Sequence, residues 1–373
     1  MSIGAPARPT ARPAPALPGA RGPISAALLG TLTDHGDVGA VVAACSAGLA
    51  DRAPSDVLAD DDLQLTLYLA YELHYGGLPG VDDRWEWQPD LLRARGSLEV
   101  ILEQALRAGH RPTRCAPAAV PQTLFSMASA DSGGPSLPGY VARQASVEQV
   151  AELLVLRSPY QLKEGDPQTF AVPRLRGRAK AAHIEIQSDE YGGGRPERMH
   201  AALFAQAMRS LALDDTPNAY LDHVPAVVLA SHNALSLFSL HRRLRGALCG
   251  HLAAFEMTSS LPAKRWVSGM QRLGLAADAV EFFDEHIEAD AVHEQIAAHD
   301  LCGALVREEP GLVDDVLFGA ATCLALDLLA AEHVLGAWDH GRTALREPSR
   351  TGHSHRDGLP SRTGPEVRPG QIP

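Results

Sequence analysis

The spacing of apolar residues divides the chain into two helical blocks. The first covers residues 24–109 and includes DDDLQLTLYLAYELHY at 60–75. A stretch dense in Pro, Ser and Gly follows, HRPTRCAPAAVPQTLFSMASADSGGPSLPGY at 110–140, and predicts a linker or a long wrapped loop. The second block opens at Ser146, where SVEQ has the Ser and Gln spacing of a capping box, and VAELLVLRSPYQLKE continues as its first core helix. Next come RGRAKAAHIEIQSDEY at 176–191, the breaker GGGRP, and ERMHAALFAQAMRSL. After Pro225, AVVLASHNALSLFSLHRRLRGALCGHLAAFEM predicts one long helix or two stacked ones. A further helix spans 278–299, and the last begins near Pro310. About six or seven such helices make a bundle large enough to hold an interior cavity.

Composition agrees with this pattern. The 373 residues are 45% hydrophobic but only 5% aromatic, with Ala and Leu abundant, so the interior is expected to be helix on helix: an all-α fold. Residues 1–23, rich in Pro, Ala and Arg, and 346–373, polar with repeated Pro and Gly, are expected to be disordered tails. The formal charge of −12 offers no basic field for a phosphate backbone, so no nucleic-acid partner is expected. Cys45, Cys115, Cys249, Cys302 and Cys323 stand singly, which fits neither a disulfide framework nor a thiolate zinc site, and none has a basic neighbour that marks a nucleophile. The N-terminus lacks the apolar core of a secretory signal, and a cytoplasmic protein is expected. The apolar run at 318–338 is interrupted by Asp327, Glu332 and His333 and reads as a buried helix, with no membrane partner.

The candidate chemistry centres on DEHIEADAVHEQIAAH at 284–299. At about 100° per residue, offsets of four and seven put His286, Asp290 and His293 within roughly 60° of one another on one helix face. That face is either a ligand set or a wet surface, and other segments must decide between them. Glu164, Glu190, His200 and Glu256 supply further carboxylates and imidazoles in one helix after another. In one unbroken helix Glu190 and His200 would lie about 15 Å apart and could not share a metal. The Gly192-Gly193-Gly194 run and Pro196 break that helix and let His200 return to the level of Glu190. His286 to His293 spans about 10 Å, which suits two metals roughly 3.5–4 Å apart, one under each histidine. Imidazoles and carboxylates without thiolate favour iron or manganese over structural zinc. HEQIAAH is not the zinc-protease motif, because His293 and His299 are out of alignment on the helix.

Together, LKEGDP, EIQSDEYGGGRPERMH, FEMTSS and HIEADAVH resemble the haem-oxygenase-like diiron oxidases and oxygenases, the iron-containing redox enzyme family, over residues 146–345. The resemblance implies a haem-oxygenase-like helical bundle at 146–345, preceded by an N-terminal helical region and linker at 24–145. It implies two iron ions held by Glu164, Glu190, His200, His286, Asp290 and His293, with Glu256 as a further carboxylate that joins when O2 binds. Mn/Fe would accept the same ligands. It further implies O2 and a small organic substrate of amine, amino-acid or fatty-acid type, with a ferredoxin-type reductant as partner. Dimerisation through the N-terminal block is a further expectation. The competing readings are a cofactorless or haem-binding enzyme on the same bundle, and a non-enzymatic helical interaction protein.

Other residues have plainer expectations. Glu72 and His74 read as a structural pair, His251 as a packed or supporting histidine, and His241 as a surface residue. Asp189 and Tyr191 flank Glu190 and could support it. PRLRGRAK at 173–180 is a solvated face or a site for a substrate carboxylate or redox partner. Phe204, Leu237, Phe238 and Met257 are the expected lining of a substrate pocket.

Overall fold

The computed structural model describes residues 16–34, 36–48, 53–110, 115–130 and 136–347, with only the backbone given for 34, 47, 48 and 288–291. Every regular element among them is helical. The N-terminal half contains α1 (Pro23–Asp34), α2 (Val38–Gly48), α3 (Pro54–Leu58), α4 (Asp61–Glu72), α5 (Pro89–Gly109), α6 (Val120–Ser129) and α7 (Leu137–Arg143). The bundle follows as α8 (Val147–Gln161), α9 (Asp166–Thr169), α10 (Gly177–Glu190), α11 (His200–Ser210), α12 (Ala226–Leu240) and α13 (Arg245–Met257). It closes with α14 (Ser260–Arg272), α15 (Ala277–Gln295), α16 (Gly303–Glu308) and α17 (Val313–Asp339). No helix among the described residues is long and apolar enough to cross a membrane.

The capping box at Ser146 forms in full: Gln149 N donates to Ser146 Oγ at 3.3 Å, and Ser146 N to Gln149 Oε1 at 3.0 Å. Past Pro225 the apolar run is two helices, α12 and α13, parted where His241 takes an extended conformation. Two expectations need correction. Residues 110–140 are not one loop: α6 begins with Pro121 in its first turn, where the missing N–H costs nothing, and buries Val120 and Leu124. The inner ends of the tails are tied down, since Arg21 and Arg346 both pair with Asp61 at 3.0 Å. Residues 1–15 and 348–373 lie outside the described residues.

Glycines let the backbones of α13 and α17 meet. A Cβ at Gly250 would strike the carbonyl of Val316, and one at Gly319 the carbonyl of Ala247. The N-terminal half is joined to the bundle by buried polar contacts as well as by apolar packing. Asn233 Nδ2 on α12 donates to the backbone and side-chain oxygens of Gln64 on α4, each at 2.8 Å. Tyr68 Oη lies 3.0 Å from the Pro159 carbonyl inside α8, and Glu72 pairs with Lys163 just beyond α8.

Candidate metal centre

Glu164 was expected late in the first core helix, but α8 ends at Gln161 and Glu164 stands in the turn that follows. Gly165 makes that turn at φ +90°, and a Cβ there would lie 3.2 Å from the Cβ of Glu190, so glycine admits the two acids side by side. Gln161 Nε2 donates to Glu164 Oε1 at 3.1 Å. Glu190 is the last residue of α10. Gly192, Gly193 and Gly194 then take φ of +62°, +59° and +81°, a left-handed path open to glycine, and the chain doubles back. His200 opens α11 with Nδ1 3.0 Å from Glu190 Oε2. Glu256 lies in the last turn of α13, and His286 and His293 stand on α15.

The donors fall into two sets. Glu164, His200 and His286 have ligand-type atoms all within 4.8 Å of one another, and so do Glu190, Glu256 and His293. The short Glu190–His200 contact joins the sets. Each histidine of α15 is oriented from its far side. His286 Nδ1 donates to the Phe282 carbonyl at 2.6 Å, which turns Nε2 toward Glu164, 3.8 Å from Oε2. His293 Nε2 lies 3.0 Å from Asp189 Oδ2, while Nδ1 faces Glu256 Oε2 at 3.3 Å. A hydrogen bond on one ring nitrogen decides which nitrogen is offered inward.

All six side chains are buried, Glu164 and Glu256 to 2% exposure and Glu190 to 7%. Burial alone would raise Glu190, but His200, then His286 and His293, hold it below the usual carboxylate range. Burial likewise pulls the histidines down and is outweighed: Glu190 lifts His200, and Glu256 with Asp189 lifts His293 to about 9. Three carboxylates gathered in an interior demand positive charge; Glu164 Oε2 has no hydrogen-bond partner among the described residues, and Glu190 Oε2 meets the His200 ring at 3.0 Å. Buried carboxylate and imidazole donors gathered in two sets fit metal cations. Asp290 lies on α15 between the two histidines, but its side chain is outside the described residues. Glu256, expected as a later-joining carboxylate, stands within the second set beside His293.

A family model described as iron-containing redox enzyme matches residues 151–328, a span that holds every one of these donors. Over that span, just under half of its length, the chain is similar to this family. No curated protein matches the chain. The bundle also holds a partly open cavity of about 350 Å³ whose wall includes Gln161, the residue that donates to Glu164. Phe204, Leu237 and Phe238 do not line this cavity, nor does Met257; the first three are fully packed in the core. Arg157, His232, His251 and Asp327 line it instead. In the sequence Asp327 is only an interruption of an apolar run, and no motif singles out Arg157 or His232. A charge inside an otherwise buried helix was the available signal for Asp327.

The remaining residues settle into structural roles. Glu72 takes Lys163 and accepts from Asn218 Nδ2 at 3.1 Å, and His74 lies 3.4 Å from Glu86. His241 is no open surface residue: its Nε2 lies 2.9 Å from buried Glu99. In the basic run, Arg174 donates to the carbonyls of Ser239 and Leu240 at the end of α12, and Arg178 pairs with Asp300 at 2.6 Å. Tyr191 donates to Asp166 at 2.8 Å, whereas Asp189, on the other side of Glu190, meets His293 of the centre.

Proposed function

We propose that the protein is a non-haem diiron oxidase or oxygenase that oxidises a small organic substrate with O2. The observation that carries this reading is the pair of buried carboxylate and imidazole sets joined at Glu190 and His200. Glu164, His200 and His286 would hold one iron, and Glu190, Glu256 and His293 the other. Asp290 takes its ligand role from the family resemblance alone. Two irons in these sets would supply the electrons with which O2 is activated. The protein's own part is placement. Gln161 fixes one oxygen of Glu164, the Phe282 carbonyl and Asp189 fix the two histidines of α15, and the carboxylates offset the charge of the cations. The adjoining cavity offers space for the substrate. A ferredoxin-type protein would return the electrons.

Anaerobic addition of Fe(II) to the metal-free protein tests the reading. Uptake of about two irons per chain is expected, followed by O2 consumption on mixing with oxygenated buffer. Glu190→Ala should bind less than half the wild-type iron, because that carboxylate sits where the two sets meet, and His293→Ala should lose one ion. Failure of the wild-type protein to bind iron or any other pair of ions would end the proposal.

A further inference from the structure

The cavity beside the centre carries two opposite charges that do not touch. Arg157, on α8, makes no hydrogen bond or ion pair among the described residues; its guanidinium lies over the Trp266 ring, 5.3 Å from the centroid. The acidic groups whose fields reach it are Asp327 and Glu164. Asp327, on α17, is exposed and lines the same cavity, where the thiol of Cys323 lies 4.0 Å from its carboxylate. A half-buried guanidinium in an apolar wall is costly unless an anion pairs with it, and Asp327 sets an opposite charge on the same wall.

We propose that this cavity is a zwitterion subsite, in which Arg157 receives the carboxylate and Asp327 the ammonium group of a small amine-bearing acid. The apolar part of that molecule would lie against Leu153, Leu156 and Phe255. The inference builds on the oxidising role assigned to the adjoining centre. A planar guanidinium backed by an aromatic face suits a carboxylate held through two hydrogen bonds. A plain fatty acid would meet repulsion from Asp327, and a plain amine from Arg157, so the pair selects against molecules with a single charge. His232 and His251 also line the cavity and add no competing charge, since burial holds them neutral, at about 3 and about 4. A volume of about 350 Å³ accommodates a molecule of this class. Gln161 joins the cavity wall to Glu164, so a bound molecule would adjoin the metal centre.

Calorimetric titration of the full-length, metal-free protein with 2-aminooctanoate, octanoate and octylamine provides the test. The zwitterion should bind at least about tenfold more tightly than either singly charged probe. Arg157→Gln should weaken its binding by a similar factor. Asp327→Asn should also weaken it while tightening octanoate, a gain that misfolding cannot produce. Equal binding of octanoate and 2-aminooctanoate, an unaltered preference in Asp327→Asn, or no binding of any probe would overturn the proposal. Iron content separates the two readings. Zwitterion binding without iron uptake removes the diiron assignment and leaves the subsite, whereas iron uptake without zwitterion binding removes the subsite alone.

Discussion

His183 illustrates how position within the bundle, rather than residue type, sets protonation. It is buried to 1% exposure and its Nε2 meets the Gln168 carbonyl at 2.8 Å, an arrangement that needs the proton on Nε2. Burial lowers it to about 4, only partly offset by that hydrogen bond. An unfolded histidine titrates near ~6.5, so on acidification the unfolded chain takes up the proton first. The stabilisation is therefore complete above about 6.5 and is lost as pH falls through about 4, a total of up to about 3 kcal/mol. Urea midpoints are expected to be lower at pH 5 than at pH 7, and His183→Gln should flatten part of that difference. An identical pH dependence in the variant would remove His183 as its cause. The same physics keeps thiols inert: burial pushes Cys45 up to about 11 and Cys249 up to about 12. At this scale the sequence named the donors by type, and the structure gathers the six described ones. It did not name Gln161 or Arg157, whose polar groups mean nothing until a partner or a cavity stands opposite them.

Among the elements, the glycine run between α10 and α11 has the clearest consequence. A break was legible from Gly192-Gly193-Gly194 and Pro196, and the return of His200 to Glu190 followed from it. At Gly192 a Cβ would sit 2.6 Å from the carbonyl carbon of Arg198, with φ already at +62°. Gly192→Ala should cost about 1–3 kcal/mol in urea unfolding and lower iron uptake by displacing His200. A variant with wild-type midpoint and wild-type iron content would show that the turn does not position the centre. Element ends were less legible. The helical pattern of VAELLVLRSPYQLKE runs on through Glu164, whereas the chain leaves the helix after Gln161, because the turn at Gly165 is fixed by contact with α10. Likewise the Pro-rich composition at 110–140 concealed α6, which exists because Val120 and Leu124 find a buried face.

Across the whole molecule, the N-terminal half reaches the candidate centre through a charged pair. Glu72 on α4 takes the ammonium of Lys163, the residue before Glu164, and Asn218 steadies the same carboxylate at 3.1 Å. Lys163 also lies 4.6 Å and 4.8 Å from the ring centres of Tyr68 and Tyr75. Glu72→Ala would leave a buried ammonium without its carboxylate, at a cost of about 3–5 kcal/mol, and should loosen the turn that carries Glu164. Glu72→Gln, which keeps the shape and an acceptor, should cost less. Denaturation curves and iron content of both variants check this; unchanged stability in Glu72→Ala would show that the N-terminal half is joined to the centre by other means.

By itself the sequence determined the helical character, the breakers, and which residues carry carboxylate and imidazole chemistry. These are local properties, set by apolar spacing over a few turns, by backbone freedom at glycine, and by side-chain type. The tertiary structure alone decided how the donors divide, Glu164 with His200 and His286, and Glu190 with Glu256 and His293. It also decided that Arg157 and Asp327 line one cavity and that Glu72 meets Lys163. Each of these pairings joins residues far apart in the chain, and it exists only because packed helices, held close by contacts such as Gly250 against Val316, bring those faces together.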